Sequence, residues 1–188
     1  KNISSETKVK NLCLAGGVAL NCVANGVLKK SKIFENIWIQ PAAGDAGGSI
    51  GAALSVFYQK YQNKRVEINK DDSMQGSYLG PSFNKEEIIK SLNSKNITYK
   101  ENSETELIET VAKLLSEDNA IGWMQGRMEF GPRALGNRSI IANPKSSKMQ
   151  KQLNLKVKFR ESFRPFAPSI LSERSSEWFD YPIDSPYM

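Results

Sequence analysis

The sequence predicts an α/β protein of one or two small domains. Apolar runs of strand length alternate with runs of helical spacing, and Gly or Pro closes most of them. Composition agrees: 39% hydrophobic and 24% charged residues over 188 positions is ordinary globular usage, enough for real cores.

The first ten residues are polar and expected to be frayed or only partly ordered. Residues 11–15 (Asn-Leu-Cys-Leu-Ala) read as a short buried strand stopped by Gly16-Gly17. A helix follows over 18–30, with Val18, Cys22, Val23 and Val27 on one face. Residues 36–40 form the next strand, ended by Pro41. Residues 49–62 form a second helix, with Ile50, Ala53, Leu54, Phe57, Tyr58 and Tyr61 at helical spacing. Strand–helix–strand–helix order implies neighbouring parallel strands.

Residues 63–77 are polar, lack an apolar period and read as a linker, with a domain boundary near residue 75. Asn84-Lys-Glu-Glu87 has the form of a capping box opening a helix to about Leu92, and 97–100 read as a strand. Ser103-Glu-Thr-Glu106 is a second capping signal, and Leu107, Ile108, Val111, Ala112, Leu114 and Leu115 make a helical stripe expected to be core. Residues 120–124 read as a buried strand. Residues 139–142 form another, broken by Asn143-Pro144. Ser146 or Ser147 then caps a short helix to about Leu155, 166–171 form a strand, and 172–179 a short helix or turn. Residues 181–188 contain two prolines and no stop signal.

The chain has no histidine, which excludes a histidine base, a Ser-His-Asp triad and any His-containing metal site built from it alone. Its chemistry rests on Arg, Lys, Asp, Glu and backbone amides. Cys13 and Cys22 read as buried thiols, and with no basic-then-apolar leader and no membrane-length apolar run, the expected compartment is the cytoplasm.

The strand at 120–124 runs directly into Gln-Gly-Arg-Met-Glu-Phe-Gly-Pro-Arg-Ala-Leu-Gly-Asn-Arg-Ser, residues 125–139. Gly126 and its neighbouring glycines let the backbone approach a ligand, and Arg127, Arg133 and Arg138 offer planar forks suited to phosphate or carboxylate. The same dipeptides also make ordinary turns, and exposed arginines solvate surfaces. Between 126 and 164 ten Lys/Arg face two acids, Glu129 and Glu161, so this segment is +8 where the whole chain is +6. The basicity is local, which points to a phosphate-bearing ligand or a polyanion. Upstream, Gly16-Gly17 lies between a strand and a helix start, where amides favour an anion or where glycine serves a tight turn. Asp45, before another helix start, reads by itself as an N-terminal cap.

Residues 126–139 resemble a signature of the ATP-dependent O-carbamoyltransferases, the family of nodulation-factor and antibiotic-tailoring carbamoyltransferases. Leu153-Asn154 through Lys158-Phe-Arg-Glu-Ser-Phe-Arg-Pro-Phe-Ala-Pro168 is similar to the companion signature, and Gly16-Gly-Val-Ala-Leu-Asn21 with Pro41-Ala-Ala-Gly-Asp-Ala-Gly-Gly48 fits the same family upstream. The resemblance spans nearly the whole chain and implies the end of an actin-like (ASKHA) ATP-binding domain, residues 1–75, followed by part of a YrdC-like α/β domain, residues 76–188. It also implies a piece lacking sequence at both ends.

The resemblance implies that carbamoyl phosphate and ATP are converted to carbamoyl adenylate, whose carbamoyl group passes to a hydroxyl of a small molecule or sugar. Magnesium accompanies the ATP, and iron or another divalent metal serves the transfer site. Gly16, Gly17 and Asn21 inherit nucleotide contact, joined by Gly126, Arg138 and Arg164 as phosphate contacts. Arg127, Arg133, Lys158 and Arg160 inherit catalytic charge neutralisation. Glu129 orients an arginine, binds magnesium or pairs within the fold. Asp45 inherits a metal-ligand role beside two histidines from earlier in the family's chain, which are absent here, so the metal site is incomplete within this chain. Trp123 and Phe130 read as core packing. The rival readings are a basic nucleic-acid-binding module, disfavoured by few interleaved aromatics, and an inactive scaffold. No membrane partner is expected.

Overall fold

A computed structural model describes residues 2–66, 72–180 and 185–188. Part of the expected linker (67–71) and of the proline-containing tail (181–184) lies outside the described residues. The chain divides into two compact units: residues 1–80 with 129–133 and 187–188, and residues 81–128 with 134–186.

The first unit contains α1 (Asn2–Thr7), β1 (Asn11–Leu14), α2 (Cys22–Lys30), β2 (Asn36–Ile39) and α3 (Asp45–Ser55). β1 and β2 pair in parallel, Asn11 opposite Asn36 through Leu14 opposite Ile39. The expected strand–helix–strand–helix order is therefore present. α1 corrects the expectation of a frayed start: Thr7 Oγ1 donates to the Ile3 carbonyl at 2.7 Å and closes the helix. The helix expected over 18–30 is two pieces, a 3-10 turn at Gly17–Leu20 and then α2. The break falls at Asn21, whose extended backbone (φ −79°, ψ 91°) and side chain, accepting from the Ala24 amide at 3.1 Å, restart the helix as an N-cap. α3 begins four residues earlier than expected and continues as a π-helical segment, Val56–Lys60.

The second unit contains α4 (Lys85–Ser94), α5 (Glu104–Ser116), β3 (Ile121–Met124), β4 (Arg138–Ile141), α6 (Met149–Gln152) and α7 (Ser175–Trp178). Both expected capping boxes form. The Asn84 side chain accepts from the Glu87 amide while Glu87 accepts from the Asn84 amide, and Ser103 and Glu106 do the same. β3 and β4 are antiparallel, Ile121 opposite Ile141 through Met124 opposite Arg138, so the arginine-rich loop is the connection of a hairpin. A π-helical segment, Leu153–Val157, extends α6.

Three expectations fail here. Residues 97–100 and 166–171 are not strands, because no described segment pairs with them. Neither Ser146 nor Ser147 caps α6, whose N-cap is Lys148. The Ser146 hydroxyl donates instead to Asp118 Oδ2 at 2.9 Å.

Among the described residues the buried apolar ones are Ala19, Phe34, Ala42 and Ala43 in the first unit and Met149 and Leu153 in the second. The stripes read as core lie largely open: Val18 is 86% exposed, Val23 70% and Ile108 55%, and α2 to α5 bury no residue completely. Cys13 and Cys22 are exposed free thiols, correcting the buried reading: among the described residues no side chains cover their strand and helix faces. Among the described residues no helix is long and apolar enough to cross a membrane.

Candidate functional site

In the first unit the parallel pairing brings the ends of β1 and β2 to the same edge. The Gly16 amide donates to the Ala43 carbonyl at 2.6 Å, tying the two strand-end loops together. Gly16 holds φ +95°, a conformation L side chains rarely adopt, and a Cβ at Gly16 or Gly17 would meet nothing within 4 Å. The loop edge therefore faces open space. On its other side it is tightly packed, since a Cβ at Gly47 would lie 2.1 Å from the Ala42 carbonyl oxygen.

Residues 129–133 of the central loop belong to this unit. Gly131, at φ +116°, lies against Ala42, and a Cβ there would sit 3.1 Å from the Ala42 Cβ. The Phe130 amide donates to the Ser77 carbonyl at 2.6 Å. Arg133 Nη2 donates to the Leu20 carbonyl at 2.5 Å. Glu129 is 7% exposed, and Ser77 1%. The Ser77 hydroxyl and Gln40 Oε1 are buried and have no hydrogen-bond partner among the described residues.

Asn21 in this unit is engaged as the α2 cap. Asp45 is exposed in the first turn of α3, where a negative charge suits the helix dipole, and Gly44 occupies the cap position. Among the described residues no cluster of three or more His, Cys, Asp or Glu is placed to hold a metal, and Asp45 stands there as one exposed carboxylate.

The second unit holds Gly126, Arg127, Arg138, Lys158, Arg160 and Arg164. The hairpin connection is organised by Asn137, which is 8% exposed. Its Nδ2 donates to the Arg127 carbonyl at 2.7 Å, and its Oδ1 accepts from Gln125 Nε2 at 3.3 Å. Gly126 adopts φ +48° beside it, a Cβ there lying 3.3 Å from Asn137 Nδ2. Arg138 directs its guanidinium at the loop backbone. Nη1 donates to the Gln125 and Asn137 carbonyls at 2.8 Å each, and both terminal nitrogens reach the Gly126 carbonyl at 3.3 Å. Arg138 therefore clamps the loop, whereas the Arg127 side chain lies on its exposed surface.

The second basic loop is built on Asn154, which is 0% exposed in the π-helical segment after α6. Its Nδ2 donates to the carbonyls of Ser162 (3.2 Å) and Arg164 (2.8 Å), its Oδ1 accepts from Arg160 Nε (2.6 Å), and its own carbonyl accepts from the Arg160 amide (2.9 Å). Gln150 Nε2 adds bonds to the Phe163 and Arg164 carbonyls. Arg160 also stacks on Phe166, 4.9 Å from the ring centroid. Arg164 is paired with Glu161 at 2.7 Å on the surface. The Glu161 carboxyl titrates below the ordinary glutamate range, held first by its own backbone amide and then by Arg164. Lys158 is exposed and forms no ion pair among the described residues.

Sequence reading assigned no role to Asn137, Asn154 or Ser77. The two asparagines lie inside the recognised stretches, yet a buried asparagine and a surface turn asparagine look the same in sequence. A π-helical turn leaves no periodic signature either.

The family description "Carbamoyltransferase N-terminus" matches residues 1–54, and "Carbamoyltransferase C-terminus" matches residues 112–188. An uncharacterized protein of Synechocystis is 56% identical over 188 residues, covering 99% of this chain and 30% of that protein. Nodulation protein NolNO of Sinorhizobium fredii is 43% identical over 183 residues, covering 95% of this chain and 26% of the relative. Nodulation protein NolO of Bradyrhizobium diazoefficiens is 43% identical over 177 residues, covering 94% and 31%. The chain thus spans about a third or less of the length of these relatives. With both family descriptions matched in order across most of its length, the chain belongs to the carbamoyltransferase family.

Proposed function

We propose that this chain is part of an ATP-dependent O-carbamoyltransferase, residues 1–75 from an actin-like domain and residues 76–188 from a YrdC-like one. Carbamoyl phosphate, ATP and one water yield carbamoyl adenylate, with phosphate and pyrophosphate leaving. The hydroxyl oxygen of a small-molecule or sugar acceptor then bonds to the carbamoyl carbon, loses its proton and displaces AMP. The observation that carries this reading is that the stretch matching the family's C-terminal description, 112–188, encloses the entire +8 segment.

Such chemistry is largely positioning and neutralisation of phosphate charge, which arginines and lysines supply without histidine. Arg127, Lys158 and Arg160 carry that role in the second unit. In the first, Gly16 and Gly17 leave open space at the strand ends for a nucleotide. Magnesium would travel with ATP. Asp45 would offer a single oxygen to a divalent metal whose other ligands are not in this chain, and no step of the chemistry is assigned to that metal.

Calorimetric titration of the chain with magnesium-ATP, then with carbamoyl phosphate, tests the reading. Saturable binding abolished by Arg127→Ala and Arg160→Ala supports it. Absence of heat from both ligands with folded protein, together with RNA binding that weakens steeply with salt, would replace it by a polyanion-binding function.

A further inference from the structure

Asn154 and Arg160 form a place in the basic segment where a cation is both fixed and left with donors to give. Every hydrogen-bonding atom of the Asn154 side chain is engaged: two N–H groups on the loop carbonyls and one oxygen on Arg160 Nε. The amide cannot be turned over without placing an oxygen against two carbonyl oxygens. Arg160 is held at three points, by its amide on the Asn154 carbonyl, by its Nε on Asn154 Oδ1 and by its face on Phe166. Its terminal nitrogens, Nη1 and Nη2, make no hydrogen bond among the described residues. Glu161, whose carboxyl feels the Arg160 charge, is engaged with Arg164. Three other arginines each commit a terminal nitrogen within the fold. Arg138 is turned into carbonyls, Arg133 donates to Leu20 and Arg164 to Glu161.

An arginine anchored through Nε with both Nη groups outward has the geometry for a bidentate oxyanion, and anchoring removes the rotamer entropy that binding would otherwise cost. We infer that Asn154 is a positioning residue: it sets the Arg160 guanidinium as a preformed fork for a phosphate oxyanion, resting on the reading of the basic segment as a phosphate site. Asn154 does not touch the ligand. It acts through Arg160 and through the 158–164 loop that also carries Lys158.

Arginine side-chain NMR of this chain, titrated with inorganic phosphate, tests the assignment. In the wild type, the Arg160 Nε–H resonance is slow to exchange, and phosphate shifts the Nη signals. Asn154→Ala abolishes the exchange protection and weakens phosphate about tenfold, the scale of one charge-assisted hydrogen bond. Arg160→Lys keeps the charge and leaves Asn154's bonds to Ser162 and Arg164 in place, so it decides the matter if Asn154→Ala does not fold. It too loses about tenfold, and adding Asn154→Ala to it costs nothing more.

A freely exchanging Arg160 Nε–H, unchanged phosphate affinity in folded Asn154→Ala, or wild-type affinity in Arg160→Lys each overturns the inference. The carbamoyl reading fails separately: phosphate taken at Arg160 with neither ATP nor carbamoyl phosphate bound leaves this inference standing and removes that one.

Discussion

The Arg133 guanidinium donates to the carbonyl of Leu20, joining the central loop to the end of the 3-10 turn after β1 across 113 residues of sequence. A hydrogen bond from a charged group contributes about 1.5–3 kcal/mol, and leaving a half-buried carbonyl unpaired costs on the same scale. Arg133→Met therefore lowers the stability of the first unit by about 1–3 kcal/mol, read as a lower urea midpoint at constant m-value. An unchanged midpoint would show that Arg133 has no structural duty and return it wholly to ligand binding.

Gly131 is the second fixed point of that junction. Alanine there meets two penalties, a left-handed φ of +116° and a Cβ 3.1 Å from the Ala42 Cβ. Strain of this kind costs about 1–3 kcal/mol. Ala42→Gly made together with Gly131→Ala relieves the crowding and leaves the φ penalty, so the pair recovers part of the loss and not all of it. Full recovery would assign the whole effect to crowding.

These two residues also show what could be read in advance. Elements with local causes were legible: the capping boxes at Asn84 and Ser103 and the strand runs ending at Gly16 and Pro41 depend on neighbours in sequence. The recognised stretches singled out Arg133, Arg138 and Arg160 but not their different duties, because Leu20, Gln125 and Asn154 become their partners only through long-range or π-helical geometry. The apolar stripes were legible as stripes. Val23 and Ile108 nevertheless stay open, 70% and 55% exposed, because a stripe in sequence does not say what packs on it.

The capping box of α5 predicts an acid-sensitive helix start. The Glu106 carboxyl is held below its ordinary range, first by the Ser103 amide and then by the Ser103 hydroxyl. A lowered folded-state value means the contribution is complete above the unfolded value of 4.5 and is lost as pH falls through the folded one. The protection factor of the amides in the first turn of α5, measured against their intrinsic exchange rates at each pH, therefore falls below about pH 4.5 in the wild type. Glu106→Gln keeps an acceptor without the titration and flattens that pH dependence. An identical pH response in the variant would place the sensitivity elsewhere.

Arg138 and Lys158 carry the same charge and should separate cleanly by measurement. Arg138 donates to the carbonyls of Gln125, Gly126 and Asn137, so Arg138→Met leaves the hairpin connection without its clamp. It destabilises the second unit by about 1–3 kcal/mol. Lys158 is exposed and forms no ion pair among the described residues, so Lys158→Met changes stability by no more than about 0.5 kcal/mol. Phosphate affinity orders them the other way: Lys158→Met weakens binding with the fold intact, and its salt dependence flattens because one cation fewer faces the anion. In Arg138→Met, any loss of affinity tracks the loss of structure and is recovered when the loop is stabilised by ligand excess. If Lys158→Met proved the less stable and Arg138→Met the weaker binder while fully folded, the division of these cations into clamp and contact would be reversed.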